Sequence, residues 1–146
     1  MLLPKGWRQS RRRGIDDAMG ITNVEGSVHP PGAVGPRIPV TFLVDSGAIY
    51  SLLPSAVWGQ LGLWARRDVD FSLADGTLVT RGVSECTFEI AGVEATSPVV
   101  LGRADKGPLL GAVTLETLGL ILHPLTRRLV PMRLLLSTMQ LAAPSC

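Results

Sequence analysis

The stretch Ile38-Pro39-Val40-Thr41-Phe42-Leu43-Val44-Asp45-Ser46-Gly47 decides how this chain is read. Seven mostly apolar residues form a strand pattern, and the near-continuous run predicts burial on both faces. The strand then runs into Asp-Ser-Gly, a tight-turn sequence that leaves one carboxylate exposed at the strand's end. Gly47 carries no side chain, so its backbone can approach that carboxylate and donate a hydrogen bond to it. No second Asp-Ser-Gly or Asp-Thr-Gly occurs in the 146 residues. There is no internal repeat, so chemistry that needs two such carboxylates needs two copies of the chain.

Composition narrows the fold. A chain of 146 residues suits one domain, and 46% hydrophobic residues can fill a core. Only 18% are charged, which argues against disorder of the whole chain. Sixteen Gly and eleven Pro, spread between short apolar segments, point to a mainly β fold with frequent turns. No apolar run reaches the ~18 residues that span a membrane. The start, Met1-Leu2-Leu3-Pro4-Lys5, lacks the apolar core of a secretory signal, so the expected location is cytoplasmic.

The net charge of +2 is unevenly placed. Five basic and two acidic residues precede Met19; nine basic and ten acidic residues follow. The basic character therefore sits in a leader, residues 1–18, read as a solvated tail or as an artefact of start-site choice. Arg11-Arg12-Arg13 alone would support nucleic-acid binding, which the acidic balance of the body disfavours. Cys86 and Cys146 do not form a disulfide framework; Cys86 alternates with Phe88 and Ile90 as a core position. His29 and His123 each precede proline and read as turn residues, and no metal-ligand spacing is present.

Along the chain, Ile21 to Val28 and Arg37 to Val44 read as strands, separated by a Pro/Gly loop. Tyr50 to Leu53 is a short strand. Pro54-Ser55 opens a short helix carrying Val57, Trp58 and Leu61, which Gly62 ends, and Trp58 is a packing residue. Val69 to Leu73 and Thr77 to Arg81 flank Ala74-Asp75-Gly76 as a hairpin. Val83 to Ile90 and Val93 to Leu101 form a second about Ala91-Gly92. Pro108-Leu109-Leu110 is a buried strand before a helix ending near Gly119. Leu120 to Leu122 then pairs with Arg128 to Val130. The tail, residues 134–146, includes Leu134-Leu135-Leu136, a candidate interface strand.

Val44-Asp45-Ser46-Gly47-Ala48 resembles the active-site segment of retropepsin-like aspartic proteases. Pro108-Leu109-Leu110-Gly111, followed by Ala112 to Leu118, is similar to that family's second signature. The continuation through Leu120, with His123-Pro124 and Arg128-Leu129-Val130-Pro131, resembles small bacterial single-lobe members. The resemblance covers roughly residues 21 to 131 and implies a closed acid-protease barrel, all-β apart from one or two short helices, with one lobe per chain. The domain would run over residues 19–133.

The resemblance also implies a homodimeric endopeptidase that acts on peptide or protein substrates without metal or cofactor. Asp45 would be catalytic, and the Ser46 hydroxyl would bond across to the partner's loop. Gly47 would complete the turn. Ala48 and Ile49, with Ala74, Asp75, Gly76 and Thr77 at the tip of a flap, would bind substrate. Leu109, Leu110 and Gly111 would support the Asp45 loop. Two features depart from the retroviral pattern: the flap has fewer glycines, and Ile49 is apolar. The alternative reading is a dimeric peptide-binding or assembly module that keeps the fold without turnover.

Overall fold

The computed structural model describes residues 22–32 and 35–132, and the backbone of Gln9–Ser10. The rest of the leader and the tail from residue 133 lie outside the described residues, and with them Leu134 to Leu136 and Cys146. In chain order the strands are β1 Gln9–Ser10, β2 Asn23–His29, β3 Ile38–Val44, β4 Ser51–Leu53, β5 Arg67–Ser72, β6 Leu78–Ile90, β7 Val93–Leu101, β8 Leu109–Leu110, β9 Leu120–Leu122 and β10 Leu129–Pro131. Helix α1 is Ser55–Gln60 and α2 is Ala112–Leu118.

Six strands close on themselves in the order β2-β3-β8-β4-β7-β6 and back to β2. Two contacts in this ring are parallel, Val44 beside Leu110 and Leu52 beside Val100. The remaining contacts are antiparallel. Closure removes the exposed edges that an open sheet would leave. The mainly β, closed-barrel architecture expected from the sequence is the one observed. Among the described residues no helix is long and apolar enough to cross a membrane.

The barrel interior is filled by Val24, Val28, Phe42, Leu53, Phe88, Ile90, Val99 and Leu110, all essentially without exposure. Phe42 and Phe88 meet as tilted rings with centroids 5.8 Å apart. Leu115 and Leu118 of α2 cap this core, as do Leu120 and Leu129 of the β9–β10 pair. Cys86 is buried as the alternation requires. Trp58 packs against the core, and its indole N–H also donates to the Gly102 carbonyl at 2.8 Å.

Three expectations are corrected. Strand β3 is not buried on both faces: Val40, Phe42 and Val44 point inward, while Pro39 and Thr41 are exposed. A barrel wall has one inner and one outer face, so apolar continuity did not mean double burial. The segments about Gly82 are not two strands but one 13-residue strand, β6. Its first half pairs with β5 and its second with β7. Gly82 leaves the space that the Ala65 side chain occupies, since a Cβ there would lie 2.7 Å from that of Ala65. Finally, His29 is not in a turn; it ends β2, buried, with Nδ1 2.9 Å from the Pro30 carbonyl oxygen.

Both hairpin turns follow local chemistry. Ala91 and Gly92 have φ of 57° and 78°, the positive pair of a two-residue turn matched to strand twist. At the other turn Gly76 has φ of 85°, and the Thr77 N–H donates to Asp75 Oδ1 at 2.9 Å. Helix α2 ends at Gly119 in the left-handed region, where glycine carries no Cβ penalty.

Candidate active site

Asp45 follows the last residue of β3 at one end of the barrel, and its side chain is exposed. Its turn is held from within. The Gly47 N–H donates to Asp45 Oδ1 at 3.0 Å, and the Ala48 N–H to the Asp45 carbonyl at 3.1 Å. One carboxylate oxygen is thus oriented by its own turn. A Cβ at residue 47 would stand 3.3 Å from that oxygen, so glycine suits the position. Ser46 and Gly47 are exposed beside Asp45.

The turn is also gripped from outside by the strand-helix junction at residues 110–113. The Asp45 N–H donates to the Leu110 carbonyl at 3.0 Å. The Ala112 N–H donates to the Ala48 carbonyl at 2.8 Å, and the Val113 N–H to that of Ile49 at 3.0 Å. These are first-turn amides of α2, which have no acceptor within the helix. The loop after Asp45 thus supplies acceptors that the helix lacks, and the helix immobilises the loop. Close approach depends on Gly111, where a Cβ would lie 2.6 Å from the backbone C and O of Tyr50. Leu110 is fully buried, whereas Leu109 and Pro108 are only half-buried.

The structure brings Asp45, Ser46, Gly47, Ala48 and Ile49 together with Leu109, Leu110 and Gly111. Ala74, Asp75, Gly76 and Thr77 lie at the tip of the β5–β6 hairpin, exposed from Ser72 to Leu78. The apolar side chains of Ile49, Leu73 and Leu78 are all largely open to solvent. Hydrogen bonds to Thr77, chiefly from its backbone N–H, hold the Asp75 carboxyl below the usual range.

Sequence reasoning missed the contact that ties the hairpin to the loop. The Tyr50 ring packs edge-on against Phe71, centroids 6.0 Å apart. The Tyr50 hydroxyl accepts a hydrogen bond from Arg67 at 3.2 Å. Arg67 and Phe71 share one face of β5, which the period of two could have shown. Which residue faced them was not readable, because Tyr50 belongs to another element.

Comparison with known proteins agrees with this geometry. The profile of a family described as aspartyl protease matches residues 30–113, more than half of the chain. The chain therefore belongs to that aspartyl protease family. Its fold is similar to that of the EIAV protease complexed with the inhibitor HBY-793. The TM-score is 0.51 and the identity 19%, over 66% of this chain and 86% of that one. The fold is therefore retropepsin-like. No curated protein sequence matches the chain.

Proposed function

We propose that the protein is a homodimeric aspartic endopeptidase, with Asp45 of each of two subunits facing one water. The observation that carries this reading is the exposed Asp45 carboxylate, one per chain, on a turn gripped at the end of a closed barrel. Two carboxylates a few ångströms apart cannot both ionise cheaply, so the pair holds one proton. The ionised member takes a proton from water as it attacks the scissile carbonyl. The protonated member donates to the carbonyl oxygen. The pair titrates as a unit, and a two-fold axis generates it from one chain.

In this reading Ser46 bonds to the partner's loop, and Gly47 completes the turn. Leu109, Leu110 and Gly111 hold the turn in place. The β5–β6 hairpin is the flap, its strand β5 attached to the Asp45 loop through Tyr50. Its tip, Ala74 to Thr77, closes over an extended peptide and, with Ala48 and Ile49, binds it. The exposed Ile49, Leu73 and Leu78 favour apolar segments.

The test is cleavage of a denatured-proteome peptide library between about pH 4 and 7, which spans the upper titration of such a carboxylate pair, about 4.7 or higher in aspartic proteases. Wild type is compared with Asp45→Asn at equal protein concentration, with the dimer confirmed by sedimentation. Cleavage by wild type and none by the variant supports the proposal. Equal cleavage by both refutes it. Absence of cleavage by a confirmed wild-type dimer moves the function to peptide binding without turnover.

A further inference from the structure

Three buried hydroxyls lie behind the Asp45 loop. Ser51 on β4, Ser97 on β7 and Thr114 on α2 are 0%, 1% and 0% exposed. The Gly111 N–H donates to Ser51 Oγ at 2.9 Å. Ser51 Oγ lies 2.6 Å from Thr114 Oγ1, which lies 2.8 Å from Ser97 Oγ. Ser97 Oγ in turn donates to the Pro98 carbonyl at 3.3 Å.

Each hydroxyl pair alone allows either donor, and with all four bonds made together the Pro98 end sets the direction. An amide N–H only donates, a carbonyl only accepts, and a hydroxyl has one proton. Ser97 gives its proton to the Pro98 carbonyl, so it accepts from Thr114. Thr114 has then used its proton, so it accepts from Ser51. Ser51 accepts from Gly111. The chain runs one way, from the Gly111 amide through three hydroxyls to the Pro98 carbonyl, and each bond polarises the next.

We propose that Ser51, Thr114 and Ser97 form a one-way hydroxyl relay that positions the Asp45 turn, acting through the Gly111 amide. Gly111 stands between Leu110, whose carbonyl holds Asp45, and Ala112 and Val113, whose amides hold Ala48 and Ile49. These hydrogen bonds between the junction and the turn all come from within two residues of Gly111, the residue the relay anchors. The relay also ties this junction to β7, so the turn is referenced to the barrel wall. These are positioning residues: all three are buried, whereas the Asp45 carboxylate they act on is exposed. Their kinetic role rests on the protease reading above, while their role in anchoring Gly111 does not.

Two substitutions separate positioning from packing. Ser51→Ala and Ser97→Ala delete the same atom from residues of equal burial, so packing alone predicts equal effects. The relay predicts unequal ones, because Ser51→Ala strips the acceptor from Gly111, whereas Ser97→Ala leaves that bond in place. Ser51→Ala should lower kcat on the order of 10- to 100-fold with KM within about twofold, since small misplacements of reacting groups act mainly on rate. Ser97→Ala should lower kcat several-fold less.

Amide exchange at Gly111, read by NMR at equal protein concentration, should quicken at least tenfold more in Ser51→Ala than in Ser97→Ala. Thr114→Val should fall between them, and Thr114→Ser, which keeps the hydroxyl, should restore wild-type exchange. Equal Gly111 exchange in the two alanine variants, or no rescue by Thr114→Ser, overturns the relay. If wild type cleaves nothing, the protease reading fails and exchange alone decides the relay. If Ser51→Ala does not fold, the Thr114→Val and Thr114→Ser pair decides it by the same readout.

Discussion

Replacing Gly111 by alanine tests how the fold holds its carboxylate. The backbone there, φ −98° and ψ 176°, is open to any residue, so the effect is purely steric. The new Cβ would stand 2.6 Å from Tyr50 C and O and 2.9 Å from Ser51 N. All three are backbone atoms and cannot swing aside. Restoring contact at about 3.5 Å requires the Tyr50–Ser51 backbone to retreat by roughly 0.9 Å. That movement stretches the 2.9 Å bond from the Gly111 amide to Ser51 Oγ. Overpacking costs about 1–3 kcal/mol, and a buried amide losing its partner adds about 1 kcal/mol.

We therefore expect Gly111→Ala to lose about 2–4 kcal/mol, read by urea denaturation at equal protein concentration. The corresponding fall in Tm is about 6–12 °C, from roughly 3 °C per kcal/mol at this chain length. Gly59→Ala, the same change inside α1, meets nothing within 4 Å. It should instead stabilise by about 0.5–1 kcal/mol, because alanine is the better helix former. A Gly111→Ala loss below about 1 kcal/mol would refute the claim that this junction is closed to a side chain.

Burial pushes the Cys86 thiol well above its usual range, so it should resist alkylation at pH 8 until urea unfolds the protein. Peptide mapping checks this, and rapid modification of native Cys86 would contradict it. Trp58→Phe removes the donor to the buried Gly102 carbonyl and should cost about 1–3 kcal/mol in urea denaturation. An unchanged midpoint would mean the bond contributes nothing. The Asp75 carboxyl should titrate below its ordinary value of 3.8 in an NMR pH series, because the Thr77 N–H stabilises its charged form. Its folded pKa is depressed, so its support of the turn is present above the ordinary value and fades as pH falls through the lower folded one. A midpoint at or above 3.8 would count against that turn.

The elements legible in the sequence were those whose cause is local. Asp75-Gly76 and Ala91-Gly92 marked their turns because the backbone there needs positive φ. Gly119 marked the end of α2 for the same reason. The continuity of β6 past Gly82 was not legible. Glycine reads as a break, and only the Ala65 side chain packed against it explains its presence within a strand. His29 read as a turn residue because Pro30-Pro31 follows it, yet pairing with Thr87 draws it into the barrel wall.

By itself the sequence determined that one carboxylate sits on a Ser-Gly turn after an apolar strand, and that no second copy of the motif exists in the chain. Turn preference and strand pattern act over a few residues, so both can be read directly. Only the tertiary structure decided what holds that carboxylate. The amides of α2 that reach Ala48 and Ile49, and the Ser51 hydroxyl that receives the Gly111 amide, join segments some 60 residues apart. Such contacts depend on barrel closure and on the register of parallel strands, which no local pattern encodes.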